Sequence, residues 1–300
     1  MLMTLVLQGA ASGIVTGCVY ALVALSLVIV YKSTDVVNFA GGELVMVGGY
    51  LGLLFLLALG LPYPLMFVAV PVAVFVLGAL FDRITLNKVG GRGVAKHADL
   101  VPLVVATIGL SYLLKGAVRV VPYTEEVRRL PPLFQAPPIF LGDVVLQAQD
   151  LAIIGVTIVI MAALWVFFRH TMIGKALRAT SQNPRAAALI GIPVKTMRMT
   201  VWGLASAIAG IAGVLLAPKL LMTPDMGSVV MLAFAAAIVG GFTSLPGCVV
   251  GGIVLGVLQN LVGIFISPQA IVVTPFFIIM LVLLIRPQGL FGEAITLKKV

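Results

Sequence analysis

Residues 226–285 read MGSVVMLAFAAAIVGGFTSLPGCVVGGIVLGVLQNLVGIFISPQAIVVTPFFIIMLVLLI, and none of these 60 side chains carries a charge. A helix needs about 20 mostly apolar residues to cross the roughly 30 Å hydrocarbon core of a membrane. Turn-forming pairs at Pro246-Gly247 and Ser267-Pro268 divide the stretch into three segments of about that length. The stretch therefore predicts three consecutive membrane-spanning helices.

The rest of the chain has the same character. Of its 300 residues, 61% are hydrophobic and 10% are charged, whereas soluble domains average roughly 45–50% and 25%. This composition excludes a soluble enzyme, a soluble binding module and a disordered chain. Charges and prolines delimit six further apolar segments, so we expect an all-α polytopic bundle of about 8–10 transmembrane helices. The six additional segments are 1–31, 38–59, 65–81, 100–121, 151–168 and 198–219.

The basic residues predict how the bundle is oriented. The loops at Lys32, 83–96, 169–198 and 286–299 hold 14 of the 19 lysines and arginines. Because Lys and Arg collect in the cytoplasmic loops of membrane proteins, we assign these loops to the cytoplasm. Nine spans then place the C-terminus in the cytoplasm and the N-terminus outside, with about 122–150 as the largest external loop. The same bias explains the net charge of +9 without a nucleic-acid partner.

Small residues recur at intervals of four in several segments. Gly9, Gly13 and Gly17 follow this spacing in the first span, and Gly48 and Gly52 follow it in the second. Such spacing makes a flat helix face on which a second backbone can approach closely, which stabilises helix pairs in lipid. The glycines therefore predict a tightly packed bundle, as a transporter would need.

Polar residues gather where the second span should begin, in Asp35-Val36-Val37-Asn38-Phe39-Ala40-Gly41-Gly42-Glu43. Unwound backbone within a span is tolerated where it lines a cavity or is buried in protein, which makes this stretch a candidate substrate pathway. An equal alternative is a simple helix entry, with Asp35 or Asn38 as the cap and Glu43 near the interface.

A second stretch resembles the first one. Asp35 is followed by Gly48-Gly49-Tyr50, and Asp225 is followed by Gly240-Gly241-Phe242. The predicted orientation starts one copy inside and the other outside, which suggests an inverted internal repeat of the kind many transporters have. The candidate pathway residues are Asn38, Phe39, Gly41, Gly42, Glu43, Gly240 and Gly241.

A short helix is predicted inside the basic loop of 169–198. Asn183 followed by Pro184 is typical of a helix start, the residues from Arg185 to Ile190 are mostly strong helix formers, and Gly191 ends the run. Its apolar tip, Leu189 and Ile190, would suit the groove of a soluble partner. The alternative is a surface helix that lies on its own bundle.

The chain offers little catalytic chemistry. Both histidines, His97 and His170, fall in predicted cytoplasmic loops, and the two cysteines, Cys18 and Cys248, lie inside apolar runs. No nucleophile–base pair, metal-ligand spacing or pair of midplane carboxylates is apparent. We therefore expect no enzyme activity, no metal site and no cofactor.

These residues resemble the LivH-type permease subunits of branched-chain amino acid ABC importers over nearly the whole chain. No single motif is specific, but together they are. They are Gly17-Cys18-Val19-Tyr20-Ala21-Leu22, Asn38-Phe39-Ala40-Gly41-Gly42-Glu43-Leu44, Gly48-Gly49-Tyr50, Gly174-Lys175-Ala176-Leu177-Arg178-Ala179, Asn183-Pro184, Gly191-Ile192, Val239-Gly240-Gly241, Gly251-Gly252 and Arg286-Pro287-Gln288-Gly289-Leu290-Phe291-Gly292.

The resemblance implies a type II ABC importer-like fold in the cell inner membrane, with 1–300 as a single permease domain in contact with lipid. It implies a heterodimer with a second homologous permease, two cytoplasmic ATP-binding subunits and an extracytoplasmic solute-binding protein. The chain itself has no Gly-x-x-x-x-Gly-Lys-Ser/Thr loop to bind phosphates. The loop of 169–198 would be the coupling segment, with ATPase contacts from Arg178, Asn183, Pro184, Arg185, Leu189, Ile190 and Gly191.

One departure from the family concerns Gly41, where many members carry histidine. If this position lines the pathway, glycine widens it and removes a titratable donor. The implied substrate is then a branched-chain amino acid or a related small solute, with urea, short amides and aromatic or dicarboxylic acids as alternatives. A different class, a self-sufficient ion-coupled secondary transporter, would have to use Glu43 as its coupling carboxylate.

Overall fold

The computed structural model describes residues 2–89, 100–120, 129–133, 137–142 and 144–292. Within these ranges the chain is a helical bundle with one two-stranded antiparallel hairpin. The strands are β1 (Ile139–Leu141) and β2 (Val144–Leu146). The helices are α1 (Leu2–Thr34), α2 (Gly41–Leu57), α3 (Tyr63–Phe81), α4 (Asn87–Val89), α5 (Leu100–Val120), α6 (Ala148–His170), α7 (Met172–Gln182), α8 (Pro184–Leu189), α9 (Val194–Leu216), α10 (Val229–Gly240), α11 (Leu245–Phe265) and α12 (Ala270–Ile285).

Nine apolar helices in the described ranges coincide with the nine predicted segments. Six of them, α1, α3, α5, α6, α9 and α11, are long and apolar enough to cross a membrane. The other three, α2, α10 and α12, have 17, 12 and 16 residues. A helix of 12 residues extends only about 18 Å, so α10 is too short to cross the hydrocarbon core alone.

Several predicted boundaries differ from the structure, and two of them concern the starts of α2 and α11. The second segment becomes helical at Gly41 rather than Asn38, because residues 35–40 are irregular. The break predicted at Pro246-Gly247 lies earlier, at 241–244, and Pro246 belongs to the first turn of α11. A proline is well accommodated there, since the first backbone N–H groups of a helix have no intrahelical partner.

Parts of the loop between α4 and α5 and of the external loop lie outside the described residues. These parts include His97 in the first loop and the acidic pair Glu125 and Glu126 in the second. The described end of the external loop is the β1–β2 hairpin, where the Gln8 side chain accepts from the Val145 N–H at 2.9 Å and donates to its carbonyl at 3.0 Å. The loop of 169–198 is mostly helical, since it contains α7, α8 and the start of α9.

The long helix α9 defines the two ends of the bundle. It begins just after α8, and at its far end the Gln149 side chain donates to the Leu215 carbonyl at 3.0 Å. The segment that follows α9 contains Asp225, which pairs with Lys115 on α5. We therefore name the two ends of the bundle the α8 end and the Asp225 end.

Helix α1 is the central helix, and most of its residues after Gly17 are buried. It packs against α11 through the glycines that the sequence singled out. A Cβ atom on Gly13 would lie 2.5 Å from the Val257 Cα, and one on Gly17 would lie 2.6 Å from the Ile253 Cα. Larger residues would separate the two backbones, so this close crossing depends on glycine.

The short helices α2 and α10 begin beside each other. A Cβ atom on Gly42 would lie 2.0 Å from the Gly227 carbonyl oxygen, immediately before α10. From this contact α2 runs toward the Asp225 end and α10 runs toward the α8 end. Opposite directions are what the inverted repeat requires, but the glycine pairs are not equivalent: Gly48 lies inside α2, whereas Gly240 ends α10.

The segment that follows α12 covers the C-terminal end of α10. The Leu290 N–H donates to the Val239 carbonyl at 2.9 Å, and the Phe291 N–H donates to the Gly240 carbonyl at 3.0 Å. Carbonyls in the last turn of a helix have no intrahelical partner, so these bonds satisfy two groups that would otherwise be unpaired. The contact is close because Gly241 adopts a φ of +104°, which glycine tolerates.

Candidate functional site

The irregular segment between α1 and α2 is held by its own polar groups. Asp35 adopts a φ of +54°, a left-handed conformation that Asp tolerates better than most residues. Asn38 is buried, and its Oδ1 accepts from the Ala40 N–H at 3.1 Å, while its carbonyl accepts from the Gly41 N–H at 3.3 Å. Asn38 thus forms a local turn that directs the chain into α2.

Helix α5 fixes the position of Phe39. The Phe39 N–H donates to the Thr107 Oγ1 at 3.3 Å, and that hydroxyl also donates to the Val104 carbonyl at 2.8 Å. The Phe39 side chain remains 42% exposed. Sequence reasoning missed Thr107, because nothing in the pattern around α5 indicates that a residue 68 positions away contacts Phe39.

Phe39 is one end of a row of four aromatic side chains. Its ring centroid lies 5.8 Å from that of Phe234, which lies 5.9 Å from that of Phe242. Phe242 meets Tyr31 edge-on at 5.0 Å, and all of these separations are typical of interacting rings. This aromatic row follows α10 from its middle to beyond its C-terminal end. It connects the irregular segment after α1, which contains Phe39, with the irregular segment after α10, which contains Phe242.

The two glycines that begin α2 have different surroundings. A Cβ atom on Gly41 would lie 2.9 Å from the Leu27 Cδ2 and 3.5 Å from the Val230 Cγ2. Gly41 is thus packed against α1 and α10, and a histidine there would require Leu27 to move. Gly42 lies against the backbone of Gly227 and the Cβ atom of Val230, so any side chain at Gly42 would separate the two helix starts.

Glu43 is buried in the first turn of α2. The residue is 8% exposed, and its Oε2 has no hydrogen-bond partner among the described residues. The N-terminal end of a helix favours negative charge, which partly offsets the cost of burying this carboxylate. An unpartnered buried polar group in a native structure is unusual and calls for a functional or conformational explanation.

Gly240 and Gly241 lie apart from the other candidate pathway residues. A Cβ atom on Gly240 would lie 2.1 Å from the Gly247 carbonyl oxygen, and one on Gly241 would lie 2.5 Å from the Gly292 nitrogen. Both therefore pack against backbone at the α8 end. The length of α10 separates them from Gly42 by on the order of 20 Å.

The short helix α8 has the start and the end that its sequence predicts. The Asn183 Oδ1 accepts from the Ala186 N–H at 3.0 Å, and Pro184 occupies the first turn. At the other end, Gly191 adopts a φ of +85° and its N–H donates to the Ala188 carbonyl at 3.0 Å. A capped helix of this kind holds its shape despite its six residues.

The candidate coupling residues are all exposed. Leu189 is 89% exposed and Ile190 is 75% exposed, whereas Ala187 is buried against the bundle. One face of α8 therefore lies on its own protein while its tip projects from it. The remaining exposed coupling residues are Arg178, Asn183, Pro184, Arg185 and Gly191.

An ion pair connects the start of α9 to the end of α3. The Arg198 Nε lies 2.7 Å from the Asp82 Oδ1, and the Asp82 side chain is 2% exposed. Asp82 opens a π-helical turn, residues 82–86, that continues α3, and such turns are frequent at functional sites. The two residues are 116 positions apart, and no local sequence pattern indicates that they meet.

Comparison with known proteins identifies a family for this chain. Residues 9–285 match the family described as the branched-chain amino acid transport system permease component. The chain is 32% identical over 296 residues to the high-affinity branched-chain amino acid transport system permease protein LivH of Salmonella typhimurium, covering 96% of both chains. It is 30% identical over 297 residues to BraD of Pseudomonas aeruginosa, a protein of the same description, again covering 96% of both.

Among solved structures, the chain is similar in fold to one from the complex of PsaBC of Streptococcus pneumoniae with a Fab. The TM-score is 0.50 at 17% sequence identity, and the match covers 95% of this chain and 92% of the other. The family match extends over nearly all the apolar helices described above. This multi-pass membrane protein therefore belongs to the branched-chain amino acid transport system permease component family.

Proposed function

We propose that this chain is the transmembrane permease subunit of an ABC importer in the inner membrane, and that its solute is a branched-chain amino acid. The full-length similarity to permeases of that description supports the proposal. The observation that carries it is α8, a capped helix whose apolar tip, Leu189 and Ile190, is exposed at one end of the bundle. That tip suits a hydrophobic groove in a soluble partner.

The partners follow from the same proposal. Two ATP-binding subunits would receive α8, a second homologous permease would complete a heterodimer, and a solute-binding protein would approach the opposite face. The chain would then hydrolyse no ATP itself and would work as one permease domain over 1–300. Nucleotide-driven closure of the ATPases would push on α8 and, through the Arg198–Asp82 ion pair, on α3.

The distribution of charge supports an orientation with the α8 end in the cytoplasm. Ten described lysines and arginines lie at or near that end, against four at the Asp225 end. Cytoplasmic faces of membrane proteins carry this excess. The C-terminus would then be cytoplasmic and the N-terminus external. The four at the Asp225 end are Lys115, Arg119, Arg129 and Lys219.

For the solute route we propose the start of α2, with Asn38, Phe39, Gly41, Gly42 and Glu43. The irregular backbone, the exposed Phe39 ring and the unpartnered Glu43 oxygen support it. In this proposal Gly240 and Gly241 do not contact solute. They are small residues that let the end of α10 pack closely against neighbouring backbone.

The test is ATP-dependent uptake of leucine into proteoliposomes that contain the chain with its two ATPases, the second permease and the binding protein. Leu189→Asp should abolish binding of the ATPases and uptake, because it places a charge in the apolar contact. Leu59→Asp is the matched control, since Leu59 is similarly exposed but follows α2 at the other end of the bundle. Unaltered co-purification of the ATPases with Leu189→Asp would contradict the coupling role.

A second candidate function is a self-sufficient ion-coupled transporter, which the buried unpartnered carboxylate of Glu43 favours. Such a protein would transport solute without ATPases. Gradient-driven leucine uptake by the chain alone would establish this function and reject the permease-subunit proposal. Urea, acetamide, phenylalanine and glutamate added to the same assay test the alternative solutes.

A further inference from the structure

A cavity of about 730 Å³ opens at the Asp225 end of the bundle. It lies between α1 and the segment that links α9 to α10, and its lining includes Thr16 and Tyr20 from α1 and Ser228 from just before α10. The volume falls within the range of roughly 300–1,000 Å³ that small-molecule sites occupy. The cavity lies at the opposite end of α9 from α8, and α9 is about 35 Å long.

The wall of this cavity is apolar with a few hydroxyl groups. Val15, Val19, Met226, Val229 and Leu232 contribute the apolar surface. The hydroxyls belong to the lining residues Thr16, Tyr20, Thr223 and Ser228. A largely apolar wall with a small number of polar groups is typical of sites that bind small organic solutes.

Charged groups of both signs lie in the lining. Arg129 and Lys219 contribute cations and Asp225 contributes a carboxylate. Two of these groups also have protein partners, since Lys219 pairs with Asp150 and Asp225 pairs with Lys115. A hydrogen bond from Lys115, 2.9 Å from Asp225, together with its charge, lowers the pKa of the Asp225 carboxyl. The carboxylate therefore stays ionised at neutral pH, so an entering solute meets both a negative and a positive group.

One part of the lining consists of residues next to the contact between the two short helices. Met226, Ser228 and Val229 line the cavity. Gly227, which lies between Met226 and Ser228 in the chain, packs against the backbone of Gly42. The cavity is thus bounded where α10 begins, beside the start of α2. A change in this contact would alter the cavity and the start of the proposed solute route together.

We propose that this cavity is the outer solute chamber of the permease and that it holds a small zwitterion with an apolar side chain. The mixed charges would receive the ammonium and carboxylate groups, and the apolar wall would receive the side chain. The chamber rests on the proposed function, and it adds residues of α1 and of the α9–α10 segment to a route that otherwise begins at α2.

The first test fills the chamber. Ser228 lines the cavity and is exposed, so Ser228→Trp projects an indole into it. Met231→Trp is the matched control, because Met231 is exposed on α10 but is not part of the lining. In the complete assembly, Ser228→Trp should lose leucine uptake while ATP hydrolysis stimulated by the binding protein persists, and Met231→Trp should retain both activities.

The outcomes separate the chamber from the function. If the wild-type assembly takes up leucine and Ser228→Trp matches it, the chamber is wrong and the permease function stands. If the wild-type assembly with all its partners takes up no leucine, the proposed function fails first, and the zwitterion chamber fails with it.

A second measurement covers the case in which Ser228→Trp does not fold. Ser228→Cys is modified with a charged, membrane-impermeant thiol reagent, using Met231→Cys as control; the native Cys18 and Cys248 are buried. Leucine delivered by the binding protein should slow modification at position 228 and leave position 231 unaffected. If only a lipid-soluble maleimide modifies position 228, the cavity is filled by acyl chains. If leucine does not change the rate of modification, the cavity holds no solute. Either result overturns the proposal.

Discussion

The Arg198 Nε lies 2.7 Å from the Asp82 Oδ1, and this ion pair is the charged contact between the start of α9 and the end of α3 in the described chain. Asp82 is almost fully buried and Arg198 is partly exposed. In the proposed coupling, a force applied to α8 would reach α3 through this contact, because α9 follows α8 after only a few residues. An apolar contact lies beside it, since the Phe81 ring of α3 meets the Trp202 ring of α9 at a centroid distance of 5.6 Å.

Removal of one partner of this ion pair should destabilise the protein. Asp82→Ala leaves the Arg198 guanidinium without its carboxylate, and loss of one member of a buried ion pair costs about 3–5 kcal/mol; the partial exposure of Arg198 places the expected loss near the lower value. Thermal unfolding in detergent measures it. Arg83→Ala, one residue on and exposed, is the control and should unfold like the wild type. Equal stability of the two variants would contradict the role of the ion pair.

The contact between the two helix starts should not tolerate even a methyl group. Gly42→Ala places a Cβ atom 2.0 Å from the Gly227 carbonyl oxygen, and overpacking of this kind costs about 1–3 kcal/mol. Gly116→Ala on α5 is the control, because nothing lies within 4 Å of the added atom and alanine favours helix over glycine. We expect the unfolding temperature to fall for Gly42→Ala and not for Gly116→Ala. An unchanged unfolding temperature for Gly42→Ala would mean that the helix starts separate easily.

The unpartnered carboxylate of Glu43 should matter more for transport than for stability. Glu43→Gln keeps the shape and removes the buried charge, so the protein should unfold at an equal or higher temperature. If the carboxylate contacts solute during passage, loss of a charged hydrogen bond worth about 1.5–3 kcal/mol lowers leucine uptake roughly tenfold or more. Tyr50→Phe, which removes another unpartnered buried oxygen of α2, should leave uptake unchanged. Wild-type uptake by Glu43→Gln would remove Glu43 from the route.

The role of Gly41 can be tested together with the residue that faces it. Gly41→His alone should destabilise the protein by about 1–3 kcal/mol, because the new side chain overlaps Leu27. Adding Leu27→Ala supplies space, so the double variant should recover part of the lost stability. If Gly41 lines the route, the double variant should also transport a different range of solutes than Leu27→Ala does. Identical uptake profiles for these two proteins would place Gly41 in helix packing only.

Much of the bundle follows from local sequence signals. Uncharged runs of sufficient length predict the apolar helices, and the spacing of Gly13 and Gly17 predicts that α1 has a face suited to close helix packing. Helix α8 was predictable to within a residue, because Asn183 and Gly191 act on neighbouring backbone groups. Each of these features is decided by residues near one another in the chain.

Contacts between distant segments could not be predicted in this way. The Asp82–Arg198 ion pair and the aromatic row depend on which helices become neighbours, and the hydropathy pattern does not indicate this. The sequence also does not indicate that α10 is short, because the uncharged run continues through the irregular segment before α11. Gly41 looked like a pathway position from sequence alone, and its contact with Leu27 became apparent only from the packing.

The bonds from Leu290 and Phe291 to the last turn of α10 have a practical consequence for anyone handling this protein. A deletion that begins before Leu290 would strip two backbone acceptors of their donors and expose the final turn of α10. Fraying would then proceed backwards along a helix of only 12 residues. Truncations and fusions made after α12 should therefore keep Leu290 and Phe291 in place.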